Sequence, residues 1–167
     1  VKADVLIDGG RFAALGSSGR SADVTIDADG AYVAPGFVDV HVHGGGGRDF
    51  MEATPEAFLA AIEHHLMHGT TALVPTAVSA PIADLQRFLA ACAAAMASGL
   101  IRARILGAHL EGPYLSKLKA GAHNPAYLKD PDPAEYEKLV SVHPCLLMMT
   151  AAPELAGAFA LGEHLHR

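Results

Sequence analysis

In the first 35 residues, apolar positions come in short clusters separated by turn residues. Residues 5–8 and 11–15 flank Gly9-Gly10, and residues 24–27 and 31–33 flank Asp29-Gly30. Such pairs tolerate the positive φ of two-residue hairpin turns, so the pattern predicts two β-hairpins. Ala34-Pro35-Gly36 punctuates the end of this region. From residue 37 onward, nearly continuous apolar runs alternate with stretches of helical period. Strands are predicted over 37–42, 70–76, 105–110 and 146–150, with Gly44 to Gly47 as a loop after the first. A helix is predicted from Thr54-Pro55-Glu56, a capping residue followed by proline at the first helical position, to His68, with Gly69 as its stop. A second covers 79–98, where Leu85, Phe88, Leu89, Cys92 and Met96 share a face. Asp132-Pro133-Ala134-Glu135 has the form of a capping box and opens a third. The fourth runs from Pro153 to the last residues.

Hairpins followed by βαβαβαβα, with almost fully apolar strands, predict an α/β protein whose parallel sheet is covered by helices. An open doubly wound sheet and a (β/α)8 barrel compete for that pattern. An open nucleotide-binding sheet wants a glycine-rich phosphate turn leading straight into a helix. Here GGGG is followed by RDFMEATP, and no GxxxxGK[ST] occurs. The expectation is therefore a partial (β/α)8 TIM-type barrel of about four βα units over 37–167. Part of a small β-sandwich, over 1–36, precedes it.

Composition narrows the field. The chain has 167 residues, 51% hydrophobic, two Cys and a formal charge of −6. Two Cys make no disulfide scaffold, and the apolar content excludes disorder. The acidic balance, without long basic runs, argues against nucleic acid as a partner. No run reaches the roughly 18 apolar residues of a membrane span, and no charged leader precedes a long apolar run. Both point to the cytoplasm. Cys92 and Cys145 read as buried small hydrophobes in a reducing compartment. The chain opens on Val rather than Met, and a full barrel takes about 250 residues, so its length fits part of a larger enzyme.

The chemistry-bearing positions cluster at strand ends. His41-Val42-His43 closes the first barrel-type strand, where side chains at i and i+2 share a face and two imidazoles can converge on one metal ion. Glu111 closes the third, in HLEGP, as a metal ligand or a solvent-facing loop charge. His109 shares its face one layer deeper and reads as a core or supporting histidine. His164 and His166 suit a polar helix end, and His64, His65 and His68 a helix surface. Arg48, Lys117, Lys119 and His123 lie near these positions in sequence, as local positive charge or as solvated surface groups.

PGFVDVHVHG, residues 35–44, resembles the first-strand signature of the amidohydrolase superfamily. HLEGPY at 109–114, with GAHNP at 121–125, closely resembles the N-acetylglucosamine-6-phosphate deacetylase family, and TAAPE at 150–154 is similar to its fourth-strand segment. The resemblance runs from the small sandwich through the fourth helix. It implies metal-dependent hydrolysis of the N-acetyl group of N-acetylglucosamine 6-phosphate, giving glucosamine 6-phosphate and acetate. Glu111 is similar to the family's metal-binding glutamate. His41 and His43 match the pair of members with two metals, a pair that single-ion members lack. Ala122 and His123 match positions contacting the amino-sugar phosphate. The implied cofactor is one or two divalent ions, zinc or iron, and the complete enzyme is expected to dimerise. The resemblance puts the general acid, an aspartate, on the eighth strand, and two further metal-ligating histidines on later strands; none has a counterpart here. Residues 145–154 contain no Lys to be carboxylated, which favours a glutamate-bridged centre. The alternatives are another amidohydrolase acting on a sugar or cyclic amide, and a half-barrel fragment without turnover.

Overall fold

A computed structural model describes residues 2–16, 19–142 and 144–166. The chain divides into two units, Val1–Pro35 and Gly36–Arg167.

In the first unit, Gly9-Gly10 takes positive φ at both positions and closes the expected hairpin. Strand β1 (Val5–Asp8) pairs antiparallel with β2 (Arg11–Leu15) through a register irregularity after Leu6. The second expected hairpin does not form. Asp29-Gly30 does turn, with the Ala31 N–H donating to the Ala28 carbonyl at 2.7 Å. Its flanks carry no strand, and Val24, Ile26 and Tyr32 are exposed. Alternation holds a register only where one face is buried, and here none is.

The second unit is a parallel α/β layer. Strand β3 (Phe37–Val42) leads into a small hairpin, β4 (Gly44–Gly45) and β5 (Arg48–Asp49), where a plain loop was expected. Helix α1 (Pro55–Met67) follows, with the Thr54 hydroxyl accepting the Ala57 N–H at 3.2 Å. Then come β6 (Thr70–Ala77), α2 (Ile82–Ala97), β7 (Arg104–Ile105), β8 (Ala108–Glu111), α3 (Pro133–Val142), β9 (Leu146–Thr150) and α4 (Ala158–Leu165). The main order is β3-β6-β8-β9, with β7 also on β6, and every pairing within it is parallel. Each long strand thus lies beside the next in sequence, and among the described residues the order never reverses.

Helices α1 and α2 cover this layer with Phe58, Ile62, Leu85, Phe88 and Leu89, all fully buried. Each such side chain contributes roughly 1.5–3 kcal/mol by leaving water. Met96, expected on the same stripe, is 43% exposed because it lies past the sheet, near the helix end.

Four boundaries differ from expectation for local reasons. The third strand splits into β7 and β8 at Gly107, whose φ is 153° and where a Cβ would meet the Leu147 Cβ at 2.6 Å. Helix α2 starts at Ile82 rather than residue 79, because the residue before a proline is pushed out of helical geometry and Pro81 occupies the cap. The capping box at α3 is half made. Asp132 accepts the Ala134 N–H at 2.9 Å, but the Glu135 carboxylate turns to Lys129 at 2.7 Å. Gly157, at φ 85°, precedes α4, so the expected start at Pro153 becomes a turn.

Candidate metal centre at the strand ends

Period-two alternation sends His41 and His43 to one side of β3, across the tip of β6, towards the end of β8. Three atoms meet there. His41 Nε2 and His43 Nε2 are 3.2 Å apart, and they lie 3.3 and 3.2 Å from Glu111 Oε2. Ligands about 2.0–2.1 Å from a tetrahedral centre are separated by roughly 3.3 Å. Two imidazole nitrogens and one carboxylate oxygen at that spacing are a donor set that fits a divalent ion.

The surroundings fix the chemistry of each donor. His43 Nδ1–H donates to the Thr76 carbonyl at 3.1 Å, so the proton of the neutral ring is on Nδ1 and Nε2 keeps its lone pair. The backbone on either side is held as well. The Phe50 N–H donates to the His43 carbonyl at 2.8 Å, and His65 Nε2–H to the Gly44 carbonyl at 2.8 Å. His65 is therefore a clamp on the loop rather than a plain surface histidine.

His123 takes the opposite tautomer. Its Nδ1 accepts the Ser79 N–H at 3.2 Å, which leaves the proton on Nε2, facing Glu111 Oε2 at 3.5 Å. It offers the cleft a donor and not a lone pair. Ser79 also donates its hydroxyl to the Glu111 carbonyl at 3.2 Å. Gly112 makes room for that bond: at φ 91°, an added Cβ would lie 2.1 Å from Ser79 Oγ.

His109 sits one layer deeper, 1% exposed, with its ring edge-on to His41 at 5.0 Å between centroids. Burial, and then the nearby His41, push its pKa down to about 4, so the ring is neutral at neutral pH. It bonds to Thr76 Oγ1 at 3.2 Å and to Thr150 Oγ1 at 2.8 Å.

An open cleft of about 530 Å3 lies over these groups, lined among others by His41, His43, Glu111, Lys119, Ala122 and His123. The other expected contributors fare differently. Arg48 is engaged by Glu52 through Nε at 3.1 Å and Nη2 at 2.7 Å, which occupies its charge. Lys117 lies in a short 3-10 turn outside that lining. His68 Nδ1–H donates to the His64 carbonyl at 2.8 Å, and His164 stacks near Tyr136 at 5.2 Å. Cys92 and Cys145 are both buried free thiols, and a hydrogen bond with Cys145, then burial, push the Cys92 thiol's pKa up. Thr76, Ser79 and Thr150 are the residues that sequence reasoning missed. The only signal was a hydroxyl at or just past the end of an apolar run.

No protein-family model matches the chain. Individual proteins do. An N-acetylgalactosamine-6-phosphate deacetylase from Escherichia coli O157:H7 is 34% identical over 140 residues, which is 83% of this chain and 37% of that protein. An N-acetylglucosamine-6-phosphate deacetylase from Vibrio furnissii is 38% identical over 125 residues, 74% of this chain and 31% of the relative. The crystal structure of N-acetylglucosamine-6-phosphate deacetylase from Pasteurella multocida superimposes with a TM-score of 0.84 at 25% identity, covering 97% of this chain and 43% of that one. The chain spans about a third of the length of the curated relatives it matches. Over that third, it is similar to proteins named N-acetylglucosamine-6-phosphate deacetylase and N-acetylgalactosamine-6-phosphate deacetylase.

Proposed function

We propose that this chain forms the metal-binding wall of an amidohydrolase site that removes the N-acetyl group from N-acetylglucosamine 6-phosphate. The observation that carries the reading is the triangle of His41, His43 and Glu111 donor atoms at the carboxyl ends of parallel strands, 3.2–3.3 Å on each side. The strand order β3-β6-β8-β9, sequential throughout, supports the first four strands of a (β/α)8 barrel over 37–167. A doubly wound sheet would reverse its order at a switch point. Residues 1–36, with one formed hairpin, are then part of the accompanying β-sandwich.

His41, His43 and Glu111 would hold the ion; imidazole and carboxylate donors suit zinc or iron(II). Bound there, a divalent ion would supply Lewis acidity and lower the pKa of water towards ~7. The protein's own groups do the rest of what this wall can do. His43, fixed as the Nδ1–H tautomer, keeps a lone pair directed to the centre. His123 donates Nε2–H to an oxygen of the substrate, and Ala122 borders the same part of the cleft. Lys119 adds positive charge beside it, which a protein of net charge −6 needs locally to receive a phosphorylated sugar. Hydrolysis adds water across the amide C–N bond and gives acetate and an amine. The resemblance places the acid that protonates the amine on a later strand, beyond the third that aligns here.

The Escherichia coli relative favours a second substrate, N-acetylgalactosamine 6-phosphate, which differs only in the C4 hydroxyl orientation. Zinc titration by calorimetry, with acetate release from both sugar phosphates measured on the protein and any longer form of it, tests the reading. We expect Glu111→Gln and His41→Ala to weaken zinc binding at least tenfold. Binding unchanged in both variants, or acetate release that persists without either side chain, overturns the assignment.

A further inference from the structure

We infer that Thr76 is the positioning residue of this centre, setting the reach of the β3 histidines and the tautomer of His43 without touching the cleft; the inference rests on the metal-site reading above.

Pro75 lies inside β6. β6 has neighbours on both sides, β3 and β8, and a proline in such a strand cannot donate to the ladder. The β3–β6 register is irregular there: Asp39 faces Leu73, yet Val42 faces Pro75. The backbone of β3 compensates with side-chain acceptors. The His41 N–H donates to Asp39 Oδ1 at 3.1 Å, and the Val42 N–H to Thr76 Oγ1 at 3.1 Å. The residue between the two candidate ligands is thus pinned by the Thr76 hydroxyl.

That hydroxyl has three partners. Val42 N–H can only donate, and the Val74 carbonyl, 3.1 Å away, can only accept. The third is His109 Nδ1 at 3.2 Å. One donor and two acceptor capacities are all a threonine hydroxyl has. Thr76 therefore donates to Val74, and His109 must donate its Nδ1–H to Thr76. His109 Nε2 is then the acceptor for the Thr150 hydroxyl at 2.8 Å. The main-chain carbonyl of the same Thr76 accepts from His43 Nδ1–H. Thr76 is fully buried and lines no part of the cleft, so it acts only through these bonds.

Thr76→Val keeps the shape and removes the hydroxyl, leaving the Val42 N–H and His109 Nδ1–H without partners. Thr76→Ser keeps the hydroxyl. We expect the valine variant to bind zinc 10–100-fold more weakly, the usual cost of removing a partner that orients ligands, and the serine variant to stay within about threefold of the wild type. Nitrogen-15 shifts of the His43 ring in metal-free protein give a second reading. They should show a single Nδ1–H tautomer in the wild type and serine variant, and a mixture in the valine variant, where the freed Val42 N–H lets β3 draw His43 away from the Thr76 carbonyl. If the valine variant does not fold, Thr76→Ala replaces it with the same expectations. A wild type that binds no zinc, but whose His43 tautomer still depends on the hydroxyl, overturns the metal reading and supports the positioning role. Equal zinc affinity and an unchanged His43 tautomer in the valine or alanine variant overturn the inference, whatever happens to thermal stability.

Discussion

His41, His43 and His123 crowd one oxygen of Glu111, His109 lies a layer deeper, and hydrogen-bond partners or burial give these rings different parts. A carbonyl behind His43 makes it a lone-pair donor, an N–H behind His123 makes it a proton donor, and burial keeps His109 neutral. Residue type and spacing could bring out the first pair and the glutamate, because alternation in a strand is a local rule. They could not bring out Ser79 or Thr76, whose partners lie on other strands and depend on a register that proline displaces. At this scale Gly112 gives a direct test of the Ser79 bond. Gly112→Ala should cost on the order of 1–3 kcal/mol from a strained left-handed backbone, read as a lowered urea midpoint. It should also weaken zinc binding, since the added Cβ collides with the hydroxyl that holds the Glu111 carbonyl. Zinc affinity equal to the wild type's would show that Ser79 moves aside freely.

Elements followed the sequence closely wherever a local device and a buried face coincided. Helix α1 has both, with Thr54 as its cap and Phe58 and Ile62 buried beneath it. Thr54→Ala should therefore cost about 1 kcal/mol, and Leu85→Ala, in the fully buried stripe of α2, about 2–5 kcal/mol, both measurable by chemical denaturation. Where only the local device was present, the outcome varied. Gly9-Gly10 closed a hairpin although Ile7 and Phe12 are exposed, whereas Asp29-Gly30 turned between exposed Val24 and Ile26 without forming one. Glu135 left the capping box for Lys129, an ion pair at a distance that composition does not reveal.

At the scale of the whole molecule, ligand and fold should be linked. An ion that binds only the folded centre stabilises it by about 2.7 kcal/mol at a hundredfold excess over its dissociation constant. Zinc should raise the melting temperature, chelator should reverse the shift, and Glu111→Gln should abolish it. The outer strand β3 shows the solvent Phe37, Val38 and Val40, the last 53% exposed. An apolar outer strand invites pairing with another chain, so Val40→Lys should reduce self-association seen by analytical ultracentrifugation. The βα alternation made the parallel sheet legible but left two strand orders open, and the missing phosphate turn favoured the sequential one.

The two cysteines have a use unconnected with chemistry at the strand ends. Cys92 on α2 and Cys145 at the start of β9 are both shielded, and the Cys145 thiol donates to the Leu89 carbonyl at 3.4 Å. Neither can meet an alkylating reagent until the helix parts from the sheet. Their modification rate is thus a stopwatch for that opening, readable without any introduced label.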